Sequence, residues 1–153
     1  MSNTWIALAD RGLWCPDPLL LAAARLLGAR LAERTEPWAR EAARRLLATT
    51  PGARDALGLD ALDPTARLVL ARTLSGVVSD IADRARLVSA EYLDALGPRG
   101  AERVFTAHVP VGELQRLALA VAALVDGAWR WTAQDAEARP AAWLAAPREP
   151  TAR

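Results

Sequence analysis

The sequence predicts an all-α protein, an antiparallel helical bundle of four to five main helices with no significant sheet. Three observations lead there. Alanine, leucine and arginine, all strong helix formers, dominate the 153 residues. Apolar residues recur at three- and four-residue spacing over long stretches, while strict alternation is nearly absent. Prolines stand where helices begin, in Asp17-Pro18, Glu36-Pro37, Asp63-Pro64 and Val109-Pro110. An acidic side chain before proline can accept an orphan N–H of the first turn, and proline there has no N–H to lose.

The elements follow in order. A short segment over 4–11 is closed by Gly12. A helix over 18–34 buries Leu20, Ala24, Leu27 and Leu31. The next, over 37–49, buries Trp38, Ala42 and Leu46 and carries Glu36/Arg40 and Glu41/Arg45 as exposed i,i+4 pairs. Pro51-Gly52 stops it, and a weak turn fills 53–59. A long helix over 64–96 presents Leu70, Leu74, Val77, Ile81, Ala85, Val88 and Tyr92 as one buried stripe, with Arg72, Ser79, Asp83 and Arg86 toward water. Within it, Gly76 either kinks the helix or admits a close neighbour. Gly97-Pro98 ends that helix. A short piece near 100–107 leads to the last helix, over 110–134. Residues 1–139 read as a single helical domain and 140–153, which hold three prolines, as a partly disordered tail.

Composition removes several function classes. Nineteen basic residues face eighteen acidic ones, a net charge of +1, so no basic excess marks a nucleic-acid surface. All the basic residues are arginine, which excludes Schiff-base, P-loop and Ser-Lys chemistry. One cysteine and one histidine cannot make a disulfide, a Cys/His zinc site or a pair of Glu-x-x-His motifs. No cofactor and no metal are expected. The start of the chain lacks the pattern of a signal peptide. The longest aliphatic run, 117–125, is far short of the roughly 20 residues that cross a bilayer. A soluble, cytoplasmic protein with no membrane contact is expected.

Four groups of residues could carry chemistry. The first is Asp126, which follows the aliphatic run of the last helix. On a helical wheel it lies about 160° from Leu124, on the side of Gln115, Leu119, Ala122, Ala123 and Arg130. It is either a surface acid or, were that side covered, half of a buried pair with Arg130. The second is a polar edge of the long helix, Asp80, Arg84 and Glu91, with Thr73 and Tyr92 beside it. An arginine held by carboxylates next to an apolar groove can orient a polar or anionic ligand. Asp80 and Asp83 have the spacing of a magnesium pair but point to different sides. The third is His108, the one side chain with an ordinary pKa near neutrality and so the candidate catalytic base. Cys15 sits near a helix start that favours a thiolate, but Asp17 opposes that effect, and the residue reads as an inert loop thiol. The fourth is the tryptophan set, six against one Phe and one Tyr, which fills core gaps or lines a pocket. Trp129 and Trp131, two apart, cannot both face the core of a straight helix, so one of them contacts something beyond the bundle.

The segment 113–129, ELQRLALAVAALVDGAW, resembles the late helix of ligand-binding domains in TetR-type regulators. The resemblance implies a helical bundle that holds a small molecule or dimerises. Residues 19–47 lack the glycine turn and basic recognition helix of a helix-turn-helix. The expected function is therefore a helical bundle that binds a small apolar or aromatic molecule, forms a homodimer, or both, as an accessory or sensor protein. The alternatives are a small cofactor-free enzyme with a tryptophan-lined pocket, or an interaction subunit of a larger protein.

Overall fold

A computed structural model describes residues 3–50, 56–96, 101–132 and 134. Its elements run β1 (Asn3–Leu8), β2 (Arg11–Pro16), α1 (Asp17–Leu31), α2 (Pro37–Leu47), a 3-10 turn (Leu59–Ala61), α3 (Pro64–Ala82), β3 (Leu87–Leu96), β4 (Ala101–Pro110) and α4 (Val111–Val125). The all-α expectation is corrected: among the described residues four α-helices are joined by two separate antiparallel hairpins, β1–β2 and β3–β4. The expected tail, 140–153, lies outside the described residues.

Strand appears in three stretches of the chain expected to be all-α: the short segment over 4–11, the end of the 64–96 helix and the piece near 100–107. Residues 4–11 belong to the first hairpin. Thr4 and Ile6 are buried on β1, Leu13 and Cys15 on β2, and Trp5 pairs with Trp14 across the ribbon. Those two rings stack with centroids 5.1 Å apart and planes tilted by 54°, a favourable geometry for an aromatic cross-strand pair. The turn at Ala9-Asp10 puts Ala9 at φ 55°, and its N–H donates to Asp60 Oδ1 at 2.9 Å.

The expected 64–96 helix ends at Ala82, with Asp83 as its C-cap. Its first half is as predicted: Asp63 Oδ1 accepts from Ala66 N–H at 2.8 Å, Pro64 is the first residue, and Leu70, Leu74 and Val77 are buried. Beyond the polar run Asp83-Arg84-Ala85-Arg86 the chain extends into β3, which pairs with β4 from Leu87↔Pro110 to Leu96↔Ala101. The piece expected near 100–107 is β4. The apparent continuation of the stripe through Val88 and Tyr92 rests on a step of four, which keeps one face in a helix and in a strand alike. The β-branched and aromatic residues of 87–92 and 104–109 favour the extended state.

The last helix stops at Val125, nine residues before the expected end. Asp126 is the C-cap and Gly127 follows at φ +75°, the left-handed conformation that glycine adopts without strain. Gly127 N–H and Ala128 N–H return to the carbonyls of Leu124 and Ala123 at 3.3 and 2.8 Å. Residues 129–132 dock on the first hairpin rather than continuing the helix.

α1 is the centre of the fold. Residues 19 to 24 are all buried, as expected of a helix covered on every side. It packs against α2, α3, α4 and strands of both hairpins, while α3 packs along α4. Among the described side chains of the second hairpin, Val109 is buried and Val88 packs beside it, whereas Leu87, Ser89, Glu91, Thr106 and His108 are exposed. β4 runs into α4 without a loop, and Val111 N–H donates to Arg86 O at 2.9 Å across the base. Asp17 was expected to cap α1. It is instead the first helical residue, 4% exposed, and accepts from Thr4 Oγ1 at 2.7 Å, tying β1 to the start of the central helix.

Candidate functional site

A groove of about 590 Å³ lies open to solvent between the end of α1 and the middle of α3. α1 supplies Arg30, and the turn that follows it supplies Glu33 and Arg34. α3 supplies Val69, Arg72, Thr73, Gly76, Val77 and Asp80, which at steps of three and four share one strip of the helix next to its buried face. Gly76 forms part of the floor. A Cβ built there meets no atom within 4 Å, so the glycine neither admits a close neighbour nor answers to any packing demand. Val69 and Val77 give the groove an apolar side, and Thr73 turns its hydroxyl back to Val69 O at 2.6 Å.

The charges around the groove are paired unevenly. Arg30 Nη2 donates to Asp80 Oδ2 at 3.3 Å, and its Nε lies 3.9 Å from Glu33 Oε2. Arg34 Nε donates to Glu36 Oε2 at 2.7 Å, a hydrogen bond that holds the Glu36 carboxyl below its usual range. Arg72 has no ion-pair partner among the described residues. The exposed pairs contribute little to stability, and their guanidinium groups remain accessible from solvent.

The polar edge expected on the long helix is thus assembled differently. Asp80 lies in the groove, but its partner is Arg30, fifty positions earlier in the chain. Arg84 turns its Nε to the Asp80 carbonyl at 3.2 Å rather than to the carboxylate. Glu91 and Tyr92 are on β3, in register with Thr106 and Phe105, because the helix has ended before them. No cluster of three or more metal-ligating side chains occurs among the described residues.

His108 stands on β4 opposite Ser89, with Ser89 Oγ 3.0 Å from His108 Nδ1. This neighbour has no local trace in the sequence, because Ser89 falls in the expected 64–96 helix and His108 just before the start of the last helix. Both side chains are exposed on the open face of a two-stranded ribbon. A nucleophile and base need a position for the reacting carbonyl and donors for its oxyanion. Among the described residues, the two-stranded ribbon that carries both exposed side chains offers no wall for either. Cys15 is fully buried, and its thiol is pushed far up by burial, with Asp17 and Glu113 adding to the effect, so it is not a thiolate nucleophile.

Asp126 and Arg130 are both exposed, and no ion pair joins them among the described residues. Of the face they were expected to share, Leu119 is 56% exposed while Ala122 and Ala123 are half-buried. Trp129 and Trp131 have a structural place. Trp129 is 4% exposed and its Nε1–H donates to Gly12 O at 2.6 Å. Gly12 N–H donates to Trp131 O at 3.0 Å, and Arg11 bridges to Thr132. Arg11 Nη1 also donates to Arg130 O. The segment after α4 is therefore latched along the edge of β2. A smaller hollow of about 370 Å³ lies beside this latch, bordered by Asp10, Arg11, Trp129 and Arg130.

Arg30, Arg34 and Arg72 were not singled out as site residues from sequence. The signal available was the strip of small and polar residues on α3 with a glycine at its middle. No family model, no curated protein and no solved structure matches the chain.

Proposed function

We propose that this protein is a noncatalytic binding domain that holds a small amphipathic molecule in the groove between α1 and α3. The observation that carries the reading is Gly76. Glycine in a helix interior costs about 1 kcal/mol relative to alanine. Here it sits in a 19-residue helix with open space where a side chain would stand, so packing gives no reason for it. A ligand lying on the helix backbone does. Val69 and Val77 supply contact for an apolar body and the arginines supply polar anchors.

The test is thermal shift against small amphipathic and apolar probes, namely octanoate, octanol, benzoate and indole, on wild type and Gly76→Leu. The substitution is expected to raise the melting temperature of the free protein, because it gains helix propensity without a clash. It is also expected to abolish a probe-induced shift seen with wild type. A probe set that leaves wild type unmoved, or a shift that survives Gly76→Leu, overturns the reading.

A second reading is favoured by Leu119, exposed on α4 between Gln115 and Ala122. It is self-association through that face. Light scattering is expected to show a dimer at high concentration, and a strict monomer removes this reading. Among the described residues no helix is long and apolar enough to cross a membrane. A single cysteine, buried at Cys15, accords with a cytoplasmic location.

A further inference from the structure

We infer that the ligand of the α1–α3 groove is a monocarboxylate with an apolar body, and that Arg72 binds its carboxylate. This rests on the groove being a binding site and adds the chemical class of what enters it. The charge ledger at the groove carries the inference. Arg30, Arg34 and Arg72 line it along with Glu33 and Asp80, and Glu36 holds Arg34 from just outside. Three cations against three carboxylates leave no surplus to neutralise a dianion such as a phosphate monoester. The pairing is uneven, however. Arg30 is engaged by Asp80 and Glu33, and Arg34 by Glu36. Arg72 alone of the three has no carboxylate partner among the described residues, so one guanidinium is available for one negative charge.

A guanidinium presents parallel N–H donors that match the two oxygens of a carboxylate. Arg72 is one turn before Gly76 on the same strip of α3, and Val69 and Val77 flank that strip. A ligand whose head meets Arg72 can lay its body across the bare backbone at Gly76 and against the two valines. A neutral molecule of the same shape makes the apolar contacts and leaves Arg72 as it was.

Titration calorimetry with octanoate and octanol tests this on the whole chain, using wild type, Arg72→Gln and Arg40→Gln. Arg40 is an exposed residue of α2 outside the groove and controls for general electrostatic attraction. Octanoate is expected to bind wild type at least about tenfold more tightly than octanol. Arg72→Gln is expected to remove most of that difference while leaving octanol unchanged, and Arg40→Gln to alter neither. Added salt is expected to weaken octanoate more than octanol. Octanol binding as tightly as octanoate, or octanoate indifferent to Arg72→Gln, overturns the carboxylate assignment. The groove itself survives that result if Gly76→Leu still abolishes binding. If neither compound binds wild type, the groove reading falls, and this inference with it.

Discussion

Trp129→Ala is expected to destabilise the protein by about 3–5 kcal/mol, the range for removing a large buried aromatic side chain. The indole is 4% exposed and belongs to the central apolar cluster. It also makes a directed bond, Nε1–H to Gly12 O at 2.6 Å. Its loss opens a cavity and leaves a buried carbonyl without its donor. The segment after α4 would then be held on β2 without its buried anchor, through Gly12 N–H to Trp131 O and the contacts of Arg11 with Arg130 O and Thr132. Since small domains are stable by only about 5–15 kcal/mol, a large share of the folding free energy rests on this one side chain. Denaturant melts followed by far-ultraviolet circular dichroism measure it. Trp129→Phe separates the two contributions: it keeps most of the apolar area and loses the hydrogen bond, for an expected cost of about 1–2 kcal/mol. A loss below 1 kcal/mol for the alanine variant would show that the latch is not part of the cooperative core.

Gly12→Ala is expected to cost about 3 kcal/mol, at the upper end for overpacking. A Cβ on Gly12 would run into the carbonyl oxygen of Ile6 and the indole of Trp5. The indole can turn, but only by giving up its stacking on Trp14. The carbonyl is main chain of the paired strand and cannot move without opening the ribbon. Gly112→Ala is the matched control. Its Cβ meets nothing within 4 Å in the first turn of α4, so it is expected to be neutral or slightly stabilising. Similar melting temperatures for the two alanine variants would contradict the close strand approach at Gly12. Because Trp129 and Gly12 share one hydrogen bond, the Trp129→Ala and Gly12→Ala effects are not expected to add.

The helices were legible from local chemistry and the hairpins were not. α1, α2, α3 and α4 begin within a residue or so of the proline signals, because the missing N–H and fixed φ of proline act locally. The first hairpin hid because only two residues per strand, Thr4 and Ile6 against Leu13 and Cys15, show full alternate burial, too short a run to establish a period of two. The second hid because Val88 and Tyr92 continue the helical stripe by a step compatible with both structures. Its partner strand lies after Gly97-Pro98-Arg99-Gly100, which reads equally as a helix stop and as a hairpin link. The site divided in the same way. Asp80 was recognisable as a polar group beside an apolar stripe. Its partnership with Arg30 depends on how α1 lies against α3, a tertiary fact with no local trace. The Ser89–His108 contact likewise exists only once β3 and β4 pair in register.

The absence of any loop between Pro110 and Val111 gives the second hairpin a stiff attachment on one side, while residues 83–86 join it to α3 through a short turn on the other. The bond from Val111 N–H to Arg86 O closes that attachment, so both ends of the ribbon meet at one place. The helix that starts there lies along α3, and α3 carries one wall of the groove.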